Sequence, residues 1–196
     1  MDHKVRLWGG LLKSRKSAAL PGAKIYPPTL TNSDLANIKI AKEMGVTGVM
    51  QPFVRDHSDL ECVKEALREA GAEDIRLFAK IENMDGVRKL EKLLPAADEI
   101  VIARGDLGNA VHLWDLPGVQ RQISEKCRAA GKPFMVVTQM LASMERSPVP
   151  TRAEVNDIFH AVMDGAASIM VTGETAVGDY SVEVIRYMVN TVISAE

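Results

Sequence analysis

Lys80-Ile81-Glu82 stands at the end of an apolar run, Ile75 to Ala79, that reads as a buried strand. Residues two apart on a strand share a face, so Lys80 and Glu82 point one way and Ile81 the other. A cation beside a carboxylate at a strand end can hold a metal and a developing anion. A second run, Glu99 to Ala103, ends in Arg104-Gly105-Asp106 with the same one-face spacing of charges. Glu82 and Asp106, at the ends of successive strands, supply two hard oxygen ligands. Two carboxylates completed by water and substrate oxygens are a common way to hold Mg2+. Gly105 lets the backbone approach an anion, and amide groups in the turn it opens can point at a carboxylate or phosphate. Two more strand ends carry Thr138 and Thr172, and Glu174 follows Thr172 at the same two-residue interval. The plainer reading of Lys80 and Glu82 is an internal ion pair, because an unpaired charge in a buried strand is costly. Each threonine alone can simply cap the turn that follows it.

Composition narrows the chemistry. The 196 residues carry a formal net charge of -2, with charges of both signs spread throughout. That argues against a nucleic-acid protein held by a basic surface, and aromatics at 5% are too few for a base-stacking platform. No apolar run approaches the roughly 20 residues that span a bilayer. Cys62 and Cys127 fall in separate helical patterns, so neither a redox pair nor a disulfide framework is indicated. Both read as small half-buried side chains in a reducing cytoplasm. The four histidines (His3, His57, His112 and His160) lack metal-ligand spacing, and His160 reads as half-buried filler beside Phe159. Met1 to Gly22 is mildly basic, with apolar residues broken by charges, and makes a poor secretory signal.

The elements that must position these residues follow a rhythm. Residues 1–28 form a lead-in of short extended pieces and turns, and Lys13-Ser14-Arg15-Lys16 in it reads as a solvated basic turn. From Thr31 a capped helix runs through Leu35, Ile38 and Met44 to Gly45, followed by a strand, Val46 to Gln51. Ser58-Asp59-Leu60-Glu61 reads as a capping box opening a helix that stops at Gly71. A short helix over Gly86 to Leu94 separates the Lys80 strand from the Arg104 strand. A longer one, about Leu116 to Ala130, stops at Gly131 before the strand Phe134 to Val137. Thr151-Arg152-Ala153-Glu154 is another capping box; its helix stops at Gly165, before the strand Ser168 to Val171 and a last helix from Ser181. Strand spacings of roughly 24 to 35 residues match βα units. Short strands, apolar on both faces, suit a parallel sheet covered by helices.

Useful polar residues sit at the C-terminal ends of at least four strands. A barrel brings all such ends to one mouth, whereas an open doubly wound sheet uses mainly its switch point. The expected fold is therefore α/β, a partial (β/α)8 TIM barrel of about five βα units over residues 29–196. A whole barrel takes about 250 residues.

Ala79-Lys80-Ile81-Glu82-Asn83-Met84-Asp85-Gly86-Val87 resembles the active-site signature of the pyruvate kinase family. Val101 to Gly108, Thr138-Gln139-Met140-Leu141, Pro150 to Glu154, Gly173-Glu174-Thr175-Ala176 and Gly178-Asp179-Tyr180 follow in that family's order. The resemblance makes the five units strands four to eight of the family's barrel, and makes Gly9 to Gly22 the return from its lid domain. It implies phosphoryl transfer from phosphoenolpyruvate to ADP, giving pyruvate and ATP in cytoplasmic glycolysis. Lys80 would stabilise charge on the phosphoryl group and the enolate. Glu82 and Asp106 would bind Mg2+, with Mn2+ as an alternative. Arg104, Gly105 and Asp106 would meet the substrate, the backbone around Gly105 and Asp106 receiving its carboxylate. Thr138 would lie beside the carbon that is protonated, with Thr172 and Glu174 in a nearby polar relay.

The resemblance also has departures. These residues hold no counterpart of the family's first three strands, with their phosphoryl-gripping arginine and most K+ ligands, nor of the lid and regulatory domains. Pro52, Val177 and Phe78 replace a usual serine, lysine and aliphatic residue. Two other readings stand beside the kinase. One is a non-catalytic or partner-completed protein, a homo-oligomer or one awaiting a completing chain, because five units leave two open sheet edges. The other is a Mg2+-dependent lyase or decarboxylase acting on pyruvate enolate, by analogy with other barrels.

Overall fold

A computed structural model describes residues 27–196. The lead-in up to residue 26, including Lys13-Ser14-Arg15-Lys16, lies outside the described residues. Five strands are present among those described: β1 (Gly48–Gln51), β2 (Arg76–Ile81), β3 (Glu99–Ala103), β4 (Phe134–Val137) and β5 (Ser168–Met170). All neighbours pair in parallel, in the order β1-β2-β3-β4-β5. Each crossover therefore moves the chain one strand onward in the same direction. A doubly wound sheet must reverse that direction at its switch point; this sheet does not, and its order is that of a barrel arc.

The crossovers are helical. α1 (Asn32–Ala41) precedes β1, and α2 (His57–Glu69) joins β1 to β2. α3 (Met84–Arg88) and α4 (Leu90–Leu93) lead to β3, and α5 (Arg104–Ala110) and α6 (Leu116–Ala129) lead to β4. α7 (Arg152–Met163) leads to β5, and α8 (Gly173–Ala176) and α9 (Ser181–Ala195) complete the set. The glycine stops Gly45, Gly71, Gly131 and Gly165 all have positive φ, from 62° to 88°, the left-handed C-terminal conformation glycine adopts most cheaply. Thr31 with Asp34, and Thr151 with Glu154, form capping boxes.

Several local expectations need correction. The cap of α2 is Asp56, which accepts the Ser58 N–H, and there is no Ser58–Glu61 box. Asp59 turns instead to Arg55 and Thr29, at 2.5 and 2.6 Å. Burial alone would raise the Asp59 carboxyl, but the Arg55 guanidinium and the Thr29 hydroxyl outweigh it and bring it to about 2. The helix expected over Gly86 to Leu94 starts earlier, because Asn83 caps it, and is split in two. α1 ends at Ala41, so Met44 falls in the turn beyond it and is exposed, while Leu35 is borderline exposed. Cys62 and His160 are exposed, whereas Cys127 is buried and desolvation pushes its thiol up to about 12. Burial on both strand faces holds fully for β3 but not for β5, which is half-buried.

Strand alternation separates two apolar layers. Leu77, Ala79, Ile81, Ile100, Ile102, Phe134 and Val136 pack beneath the helices in the main core. Val101, Ala103 and Val137, with Phe78, Met135 and Met170, form a smaller cluster on the concave face. At the base of that face Glu99 is buried; its oxygens accept Arg76 Nη2 at 3.0 Å and Ser168 Oγ at 2.6 Å. Arg76 also lies over the Phe78 ring, 4.7 Å from its centre.

Phe78, the bulky departure in the signature, has space because residue 48 is glycine. A Cβ at Gly48 would lie 2.7 Å from Cε2 of the ring. Gly48→Ala should therefore lower unfolding stability by about 1 kcal/mol, overpacking exceeding the gain from removing a strand glycine. The same substitution in a Phe78→Leu background should be neutral or stabilising. Urea denaturation of the four chains measures both, and a loss that persists without the ring would count against this packing.

A candidate anion and metal site at the strand ends

The expected site residues collect at the C-terminal ends of β2 to β5. β2 runs through Lys80 to Ile81, farther than the apolar run alone indicated. Lys80 and Glu82 do share a face: Lys80 Nζ is 2.7 Å from Glu82 Oε1. Glu82 is 3% exposed, so its charge needs partners. The second is the Phe53 amide, which donates to Oε2 at 2.7 Å. Phe53 has φ of +51°, so the carboxylate fixes an unusual turn after β1. Asn83 fastens the same loop, its Nδ2 donating to the Val54 carbonyl at 3.1 Å while its Oδ1 caps α3.

At the end of β3 the expected geometry changes. Arg104, Gly105 and Asp106 do not continue the strand; they are the first turn of α5. Helical residues two apart are separated by about 200°. Arg104 and Asp106 thus lose the shared face that strand spacing predicted. Arg104 turns inward: Nη1 donates to both Asp157 oxygens at 2.8 and 2.7 Å, and Nη2 and Nε donate to the Thr138 carbonyl at 2.7 and 3.2 Å. Asp106 is exposed and makes no hydrogen bond or ion pair among the described residues.

Thr138 follows β4 with φ of +80°, and Gln139 has +55°. A β-branched residue is a rare occupant of that region, and such strain costs about 1–3 kcal/mol. The surroundings impose it: Arg104 holds the carbonyl, and Gly105 leaves room for the side chain, since a Cβ there would lie 2.9 Å from the Thr138 methyl. The Thr138 hydroxyl makes no hydrogen bond among the described residues. Past β5, Glu174 is 1% exposed and accepts the Thr172 amide at 2.7 Å and the Leu141 amide at 3.2 Å. The Thr172 hydroxyl is 3.4 Å from Glu174, a long contact. Glu174 is the second residue of α8, so strand spacing does not extend to it; it meets Thr172 chiefly through that residue's backbone amide.

No group of three His, Cys, Asp or Glu side chains able to hold a metal occurs among the described residues. The donor chemistry therefore does not fit a metal caged by protein alone. It does fit a hard cation that takes most of its shell from water and substrate. Glu82 has lone-pair capacity beyond its two bonds, and Asp106 has all of its own. Asp157, which orients Arg104, and Phe53, which Glu82 holds, were not legible in the sequence. Nothing in the spacing of α7 marks Asp157. Asn83, by contrast, is a preferred cap residue just before a helical stretch, and that signal was available.

Removing Lys80 should leave a buried carboxylate with one amide. Lys80→Ala should destabilise by about 2 kcal/mol, less than for a fully enclosed pair because the ammonium is one-quarter exposed. Adding Glu82→Gln should restore part of that loss. Urea denaturation through this double-mutant cycle measures the coupling, and strictly additive losses would count against it.

The pyruvate kinase barrel-domain family matches residues 3–185. The chain is 41% identical over 187 residues to a pyruvate kinase of Bacillus licheniformis, an overlap covering 95% of this chain and 32% of that protein. It is 41% identical over 194 residues to one of Candida albicans, covering 98% and 38% respectively. For one of Clostridium acetobutylicum the identity is 37% over 187 residues, covering 95% and 40%. The chain thus spans between 32% and 40% of the length of these curated relatives. With a parallel barrel arc and a family match over nearly its whole length, this chain belongs to the pyruvate kinase family, within that family's barrel domain.

Proposed function

We propose that these residues carry the metal-and-enolate half of a pyruvate kinase site. The overall reaction is Mg2+-dependent phosphoryl transfer from phosphoenolpyruvate to ADP, giving pyruvate and ATP in the cytoplasm. The observation that carries the reading is the Lys80–Glu82 pair, 2.7 Å apart at a strand end, with Glu82 buried. Lys80 faces the charge that builds on the transferring phosphoryl group and on the enolate oxygen. Stabilisation by a fixed cation of this kind is the main source of rate in phosphoryl transfer. Glu82 and Asp106 would hold Mg2+, or Mn2+, which when bound neutralises charge on the substrate oxygens. Backbone amides around Gly105 and Asp106 receive the substrate carboxylate. Thr138 sets its unpartnered hydroxyl beside the carbon that takes the proton, with Thr172 and Glu174 shaping the neighbouring loop. The nucleotide side, and the K+ that the family resemblance implies, depend largely on parts of the fold not represented in these residues.

A second reading rests on a separate observation. Among the described residues β1 and β5 each pair on one side only, and α9 shows Val182, Ile185, Val189 and Ile193 to solvent. These are surfaces that a completing set of βα units, or a second copy of the chain, would cover.

The 196 residues alone should give little or no ADP-dependent pyruvate formation. They should still exchange the methyl hydrogens of pyruvate with D2O when Mg2+ is present, because enolisation uses only this half of the site. Proton NMR follows the exchange, which should fall by about 100-fold in Lys80→Ala. Exchange unaffected by that substitution or by EDTA would overturn the reading, and brisk ATP formation would show the missing strands dispensable. Light scattering should find an association of chains if the open edges are covered; a stable monomer with a two-state melt would count against it.

A further inference from the structure

Arg104 is spent on the protein. Its Nη1 donates to both oxygens of Asp157, and its Nε donates to the Thr138 carbonyl. Its Nη2 donates to that carbonyl and lies 2.8 Å from the Met140 sulfur. A guanidinium has five N–H groups in a rigid fork; the two Asp157 oxygens lie on the same side of Nη1 and share one of its two, so these contacts engage four. The fork is thus turned mainly toward protein groups. The bonds converge on a residue whose backbone needs restraint, Thr138 at φ of +80°.

We propose that Arg104 and Asp157 are a positioning pair. They hold the Thr138 carbonyl so that the residue stays left-handed and its hydroxyl stands clear of hydrogen-bonding neighbours at the strand-end mouth. Arg104 acts through Thr138 and does not touch substrate, unlike the substrate-binding role the motif suggests. Asp157 supplies the other half of the grip from α7, 53 residues away in sequence. Gly105 closes the other side: a Cβ there would reach within 2.9 Å of the Thr138 methyl. The inference deepens the proposed function, and its catalytic half rests on Thr138 serving the protonated carbon.

Asp157→Asn keeps size and removes charge; Arg104→Lys keeps charge and removes the fork. Both should shift the Thr138 methyl and Gln139 amide resonances of the ligand-free chain. Both should also lower the maximal rate of Mg2+-dependent pyruvate–D2O exchange by about 10- to 100-fold, with little change in KM. Gly105→Ala should move the same two resonances while the ion pair remains. A direct substrate contact predicts something else: Arg104→Lys would raise KM, and Asp157→Asn, by releasing the guanidinium, would leave KM unchanged or lower it. That pattern, or unshifted resonances in Asp157→Asn, overturns the positioning role. If the parent chain exchanges no pyruvate, the functional reading fails on its own, and the resonance shifts alone decide whether the pair positions Thr138.

Discussion

A carboxylate taken out of water has to be answered by donors, and most of the geometry at the strand ends follows from that. Glu82 is answered by Lys80 on its own strand and by the Phe53 amide after β1. Glu174 is answered by the Thr172 amide and by the Leu141 amide after β4. Asp157 is answered by Arg104, whose remaining donors reach Thr138. In each case one charged side chain ties a strand end to the loop of a neighbour. Loops that bear function are by nature weakly held; here charges that are buried at Glu82 and Glu174, and half-buried at Asp157, fix them.

That arrangement changes how the polar residues divide. Lys80, Asp106 and the Thr138 hydroxyl retain capacity for a ligand. Arg104 and Glu174 are committed largely to protein groups, both of them reaching the loop after β4. A strained threonine beside an unpartnered hydroxyl fits the tendency of such backbone to collect where chemistry needs a group held in place. Membership of the pyruvate kinase family rests on the match along the chain. The division of labour among its residues rests on hydrogen-bond geometry.

The parts of the structure visible in the sequence were those governed by local rules. Glycine stops, the Thr31 cap, the Thr151 capping box and the strand alternation around Lys80 are set by a few neighbouring residues, and they appear where expected. The failures come from local ambiguity or from distant partners. Asp106 could not be placed because nothing local says whether Arg104 ends a strand or starts a helix, and the two geometries turn its side chain in different directions. Asp59 was taken for part of a cap although a nearer donor, Arg55, claims it. Asp157 and Phe53 matter only through partners that the fold brings up from far along the chain.

The base of the concave face bears on how the arc forms. One oxygen of Glu99 is satisfied by Arg76 and the other by Ser168, which are 23 and 69 residues away. Until β5 has docked, the second oxygen lacks its donor inside the arc. Glu99 on β3 and Ser168 on β5 are thus joined across β4, which lies between them in the sheet. One buried carboxylate therefore couples three neighbouring strands, and undocking β5 would open the Glu99 site to water as well.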